Sequence, residues 1–264
     1  MQIIRVRLIN AKGRTIGCEK APVEILNALK EIGCNEKGKL IEFAKLNLEE
    51  IHVDLNNLEE ANHLIYENSK EIFEKNFKAF FLGGDHCISY SIVKAFNKVE
   101  KNPLLIIFDA HADCLEPTKV PTHENWLSKL IEEDGFNTRN VILISTRDLW
   151  EKEIEFLNEN EINLIKMDVL REDLDGICDL VMERARNSSG FYVSLDIDCL
   201  DPAFAPATGY LEPGGLSSRD LIHFVKRLVL LDNFRGADIV EINPVKDVNG
   251  MTVKMGAKLL AEMI

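Results

Sequence analysis

The segment FDAHADC at 108–114 sets Asp109, His111 and Asp113 at alternate positions. In an extended chain, residues two apart project to the same side, so these three side chains converge if the backbone stays extended past residue 109. SLDID at 194–198 repeats the device with Asp196 and Asp198, and GGDH at 83–86 contributes Asp85 and His86. Four clustered carboxylates repel one another and take up protons near neutrality unless cations offset them. Two divalent cations offset four carboxylates in formal charge. A mixed oxygen and imidazole set suits Mn²⁺ better than a thiol-loving ion. Two such ions roughly 3.5–4 Å apart can share a hydroxide, a nucleophile available at neutral pH. Taken singly, each motif is equally consistent with Asp and His capping the next helix.

The elements that must position these groups are legible as apolar runs. IIRVRLI (3–9), FFLGG (80–84), LLIIFD (104–109), VILIS (141–145), INLIKM (162–167), FYVSLDID (191–198) and ADIVEINP (237–244) read as strands. Amphipathic stretches lie between them, among them 22–33, 89–99, 126–135, 218–231 and a terminal 253–264. Ser217 and Asp220, three apart, form a near capping box for the fourth. Strands alternating with helices imply a parallel sheet covered on both faces, which fits strands that are continuously apolar. No Pro/Ser-rich linker or repeat divides the chain, so residues 1–264 read as one three-layer α/β/α domain. Ligands of such sheets bind at the carboxyl ends of the strands. His86, Asp109, His111, Asp113, Asp196, Asp198, Asp201 and Glu241 all follow apolar runs, and so fall at that edge.

Composition narrows the partners. The chain has 264 residues, 46% hydrophobic and 28% charged, with a formal charge of −13. That balance argues against nucleic acid, whose phosphates call for basic patches, and favours cationic ligands through the long-range field. Apolar stretches fall short of the ~18 residues of a membrane span, and the first residues lack a signal-peptide pattern. The six widely spaced cysteines read as reduced thiols of a cytoplasmic protein. Three of them, Cys87, Cys114 and Cys199, directly follow candidate ligands; adjacent residues of a strand point oppositely, so these thiols are expected to pack behind the site.

The blocks GGDHCISY (83–90), FDAHADC (108–114), SLDIDCLDPAFAPATGYLEPGGLSSRDL (194–221) and DIVEINP (238–244) resemble, in order, those of the ureohydrolase family, which includes arginase and agmatinase. GCEKAPVEIL (17–26) and NGMTVKMGAKLL (249–260) are similar to that family's ends. The resemblance implies an arginase-like sandwich with an eight-stranded, mainly parallel sheet, and a homotrimer or homohexamer. It implies two Mn²⁺ per subunit that activate water for attack on a guanidinium carbon, releasing urea and an amine. One ion would be held by His86, Asp109, Asp113 and Asp196, the other by His111, Asp109, Asp196 and Asp198. Glu241 matches the glutamate that pairs with the substrate guanidinium, a planar cation suited to a carboxylate accepting two parallel hydrogen bonds. His123 matches the histidine that relays protons. Asp113 is expected to pass a proton to the leaving amine. Arg147 and Asp148 look like the family's GxRD turn, a structural element.

The loop 114–126 departs from that pattern. It reads Cys114-Leu115-Glu116-Pro117 where arginases carry an asparagine for the α-carboxylate of arginine, and His123-Glu124 where the family has His-Gly. Thr122 is a candidate cap for the following helix. The departure favours a substrate without a carboxylate, agmatine first, with Glu116 and Glu124 drawing a distal ammonium. Arginine, formiminoglutamate, guanidinobutyrate and free guanidine are alternatives. So are a non-catalytic metal-binding family member and a single-metal, deacetylase-like hydrolase.

Overall fold

Leu104, Ile106 and Phe108 pack on one side of a sheet while Leu105 and Ile107 pack on the other. This double burial is why LLIIF has no polar alternation. The computed structural model describes residues 1–10, 13–75 and 78–264. These described residues form eight strands: β1 (Gln2–Val6), β2 (Leu48–Ile51), β3 (Ala79–Leu82), β4 (Pro103–Phe108), β5 (Val141–Thr146), β6 (Asn163–Lys166), β7 (Gly190–Asp196) and β8 (Phe234–Val240). They form one sheet in the order β2-β1-β3-β8-β7-β4-β5-β6. Every pairing is parallel, so the expectation of a mainly parallel sheet tightens to an all-parallel one among the described residues.

Helices cover both faces, as parallel crossovers require. One layer holds α1 (Ala21–Leu29), α7 (Leu174–Arg186), α8 (Ser218–Leu228) and α9 (Met251–Met263); their buried residues Ile25, Val181, Phe224 and Leu259 join one core. The other holds α2 (Leu58–Glu74), α3 (Ile88–Val99), α4 (Trp126–Asp134) and α5 (Glu151–Glu159), joined to the second core through Ile65, Phe96, Trp126 and Leu157. A short α6 (Met167–Glu172) follows β6. The expected capping box at the start of α8 is formed: Ser217 Oγ accepts from the Asp220 amide and Asp220 Oδ2 accepts from the Ser217 amide.

The strands that carry the candidate residues, β3, β8, β7 and β4, are the four central neighbours of the sheet. Chain order reverses here, since β3 and β4 are consecutive in sequence but separated by β8 and β7. A crevice opens at the carboxyl ends of such strands. After β3, Gly84 lies so close to the first strand's continuation that a Cβ would sit 2.0 Å from the Leu8 carbonyl oxygen. The GG of GGDH therefore allows the chain to turn tightly and deliver His86.

Candidate metal centre and substrate cavity

His86 Nδ1 lies 3.0 Å from Asp109 Oδ2, 2.9 Å from Asp113 Oδ2 and 3.2 Å from Asp196 Oδ2. His111 Nδ1 lies 3.0 Å from Asp198 Oδ2 and 3.4 Å from Asp109 Oδ1. The two oxygens of Asp109 thus face different histidines. Two ligand groups share it: His86, Asp109 and Asp196, and Asp109, His111 and Asp198. The alternation read from FDAHADC and SLDID therefore does bring its side chains together, at adjoining points.

Backbone geometry aims two of these groups. Asp113 has φ +53° and Glu241 φ +65°. Non-glycine residues enter this left-handed region at a cost of about 1–2 kcal/mol, and such strain gathers at functional sites. The Trp126 indole Nε1 donates to Asp113 Oδ2 at 2.8 Å, and the Leu127 amide donates to the Asp113 carbonyl. The start of α4 thereby holds the bent segment in place.

The charges are unbalanced without a cation. Burial and the neighbouring Asp109 push the Asp113 carboxyl up to about 7. Burial, Asp198 and Asp109 drive Asp196 well above the usual carboxylate range. Burial disfavours charge on His86, yet the hydrogen bonds of Asp109, Asp113 and Asp196 outweigh it and raise the imidazole well above its ordinary value. His86 Nδ1 and Asp109 Oδ2 are buried without a hydrogen-bond partner of good geometry, despite carboxylate oxygens 3 Å away. Three carboxylates and an imidazole nitrogen converging on one point, more acceptors than a single ring hydrogen can serve, fit a divalent cation held by oxygen and imidazole.

A cavity of about 270 Å³ opens on these residues. His111, Asp113, Asp196, Asp198, His123 and Glu241 all line it, together with Glu124, Asp148, Tyr210, Glu212 and Arg14. Glu241 Oε1 accepts the His86 amide at 2.8 Å, which fixes the carboxylate; Oε2 is buried in the cavity wall with no partner. His123 is buried, with Nε2 4.0 Å from Glu124 Oε1 and its ring centroid 5.9 Å from that of Tyr210.

Several expectations need correction. Glu116 is exposed and does not line the cavity; its carbonyl accepts from the Asn125 side chain. Glu124 occupies the wall instead, because the Leu115 amide bonds the Glu124 carbonyl and a turn from Thr122 to Asn125 brings 123 and 124 inward. Thr122 does not cap α4, which begins after Asn125. The two carboxylate oxygens of Glu153 accept the Cys114 and Trp150 amides, so this residue ties the loop to α5. Asp85 is turned away from the cluster and accepts the Asn10 amide and Thr15 hydroxyl, which anchors the segment carrying Arg14. Asp201 accepts the Ala203 and Gly214 amides and shapes the following loop. Arg147 reaches the carbonyls of Asp198, Leu200 and Glu212. Cys87, Cys114 and Cys199 are buried, and burial pushes all three thiols well up.

Tyr210, Glu212, Arg14 and Trp126 were not anticipated. Tyr210 donates to Glu124 Oε1 at 3.2 Å, and the Arg14 guanidinium stacks 4.4 Å above its ring. Tyr210 and Glu212 do lie within the block 194–221 that carried the family resemblance. No periodicity marks them.

The model of the arginase family matches residues 3–264. The chain belongs to the arginase family. A mitochondrial arginase of Arabidopsis thaliana is 34% identical over 207 residues, 76% of this chain and 58% of the plant protein. The matched region thus spans under two thirds of that relative's length. An agmatinase of Bacillus subtilis is 32% identical over 221 residues, covering 81% of this chain and 72% of that protein. Among solved structures, the formimidoylglutamase of Bacillus subtilis superposes with a TM-score of 0.90 at 25% identity, over 99% of this chain and 85% of the other. This arginase-family chain is therefore similar to members named for three different substrates. No helix among the described residues is long and apolar enough to cross a membrane.

Proposed function

We propose that this protein is a metal-dependent ureohydrolase that cleaves the C–N bond of a guanidino compound to urea and an amine, with agmatine the favoured substrate. The observation that carries it is Glu241 Oε2, a buried acceptor without a partner that faces the same cavity as the histidine and aspartate cluster. A guanidinium offers paired N–H donors to such a carboxylate. His86, Asp109, Asp113 and Asp196 would hold one divalent cation, and His111, Asp109, Asp196 and Asp198 a second, Mn²⁺ by donor type. Bound there, the cations supply Lewis acidity and a nucleophile drawn from water at neutral pH.

The chain's own groups do the rest. Glu241 orients the guanidinium carbon above the cluster. Asp113, fixed by Trp126, accepts a proton and returns it to the leaving amine. His123, in the cavity wall, exchanges protons with solvent. Glu124, Asp148 and Glu212 make the mouth acidic, which suits a distal ammonium. The whole of residues 1–264 is read as one ureohydrolase domain of the cytoplasm, assembled as a trimer or hexamer.

A second reading draws on Arg14, which lines the mouth over Tyr210 and would pair with a carboxylate tail such as that of guanidinobutyrate, arginine or formiminoglutamate. Urea release from Mn²⁺-loaded protein separates the two. Fast turnover of agmatine with poor turnover of arginine and guanidinobutyrate supports the acidic-mouth reading. The reverse order assigns the tail to Arg14. No urea from any of them, with ammonia from formiminoglutamate, overturns the guanidino assignment.

A further inference from the structure

Asp238 lies in the middle of β8, fully buried beneath α3. Its surroundings are apolar: the ring of Tyr192 beside it packs on Phe73, Phe81 and Phe96. A carboxylate in such a place costs several kcal/mol unless its oxygens are hydrogen-bonded. Three hydroxyls satisfy it. Ser194 Oγ lies 2.7 Å from Oδ1, while Ser89 Oγ at 2.9 Å and Tyr192 OH at 3.2 Å reach Oδ2. Ser194 is also the register partner of Asp238 across β7 and β8, so the contact is set by the sheet itself.

Each hydroxyl has one hydrogen to donate. Ser194 gives its hydrogen to Asp238, so towards its other neighbour, His86 Nε2 at 2.9 Å, it can only accept. His86 must then carry a hydrogen on Nε2, which leaves Nδ1 free to present a lone pair to the point shared by Asp109, Asp113 and Asp196. We propose that Asp238, acting through Ser194, is a positioning residue that fixes the Nε2–H tautomer of His86 and thereby prepares that ring to hold a divalent cation. The competing arrangement has Ser194 donate to Nε2. It puts the ring hydrogen on Nδ1, facing three carboxylates, where it satisfies them without a cation and cannot ligate one. Asp238 removes that arrangement by taking the Ser194 hydrogen. His111 lacks a comparable support: its Nε2 is without a hydrogen-bond partner, and the nearest carboxylate oxygen, on Asp148, is 3.9 Å away. The effect is thus confined to one of the two cation positions.

The inference rests on the reading of His86 as a metal ligand, and Mn²⁺ calorimetry on the metal-free full chain tests the two separately. Wild type is expected to bind two ions. In Asp238→Asn, the amide oxygen stays with Ser89 and Tyr192, and the amide NH₂ faces Ser194, whose hydrogen is freed for His86 Nε2. One binding step should weaken by ~10–100-fold, the scale of supporting partners of metal-bound histidines, and the other should stay within about twofold by the same reasoning. Ser194→Ala should weaken the same step, and the double variant should be no weaker than the worse single variant, because both changes break one relay. Independent losses that multiply in the double variant assign Asp238 a general stabilising role and overturn the proposal. So does an unchanged affinity in Asp238→Asn while wild type binds two ions. If Asp238→Asn does not fold, Ser194→Ala decides alone, and its retention of both wild-type affinities overturns the proposal. Failure of wild type to bind any ion defeats both this inference and the ligand assignment beneath it.

Discussion

The cluster around His86 and the wall around Tyr210 meet in one cavity but are built in opposite ways. The cluster hangs from the ends of β3, β4 and β7, strands whose spacing is set by backbone hydrogen bonds in the middle of the sheet. The wall is made by residues 14, 123–124 and 210–212, held by side-chain contacts between loops: Asp85 to Thr15, Tyr210 to Glu124 and Arg147 to the Glu212 carbonyl. The strand-borne half has little freedom to change without losing its chemistry. The loop-borne half can be rebuilt by substitution while the sheet stays intact, as expected of a scaffold that positions variable loops. The relatives this chain resembles are named for different reactions: arginase, agmatinase and formimidoylglutamase.

Substitutions can break this division. The largest effect is expected from Asp198→Ala, which removes a carboxylate beside His111. Metal analysis should find one ion per chain rather than two, and kcat should fall by roughly 10²–10³-fold, the loss of several kcal/mol of charge stabilisation. Two ions with wild-type turnover would break the assignment of the cluster. Glu241→Gln comes next. It stands on a strand end but serves substrate, so both ions should remain while kcat/KM drops by ~10²-fold, the scale of a lost charge-assisted pair; loss of metal would place Glu241 with the cluster. Glu124→Gln probes the wall. KM for agmatine should rise about three- to tenfold, a contribution of ~1 kcal/mol for a partly exposed charge, with metal content unchanged and hydrolysis of free guanidine unaffected. An equal change on free guanidine would show that the wall reaches the reacting end.

The smallest effect lies outside both regions. Glu36 accepts from Arg219 and Lys226, which hold its carboxyl down at about 2. A depressed carboxyl adds stability that is present above its ordinary value of 4.5 and is lost as pH falls towards 2. Glu36→Gln should therefore lower stability slightly at neutral pH, by under ~1 kcal/mol for surface pairs, and the difference from wild type should shrink as pH falls from 4.5 towards 2. Melting curves at pH 7 and pH 3 check it, and metal content should not move.

The same division governs what could be read from the chain. The cluster was legible because a strand has a period of two, and Asp109, His111 and Asp113 display it in the sequence. β4 and β7 were legible because burial on both faces makes them continuously apolar. β2 was not: its LEEI lies at the sheet edge, with Glu49 bonded by Gln2 and Glu50 paired with Arg5, and shows no apolar run. The choice between Glu116 and Glu124 was beyond reach for a different reason. Both sit on one loop with the same charge, and only the Thr122–Asn125 turn decides which faces inward. Arg14 and Tyr210 meet across nearly the whole chain, and nothing local marks either.

The sheet order has a consequence for how the molecule comes into being. β8 sits between β3 and β7, so before residue 240 is available the strands exist as two separate groups, β2-β1-β3 and β7-β4-β5-β6, each with an unsatisfied edge. His86 lies in one group and Asp109, His111 and the paired aspartates lie in the other. During synthesis the nascent chain must hold two bare edges apart until its last strand arrives to join them, and such edges invite pairing with foreign strands. Insertion of β8 is then the step that closes the sheet and brings His86 to the aspartates. In refolding experiments, the capacity to bind the second of two metal ions, the one that needs His86, should appear together with the burial of Tyr192, and not before.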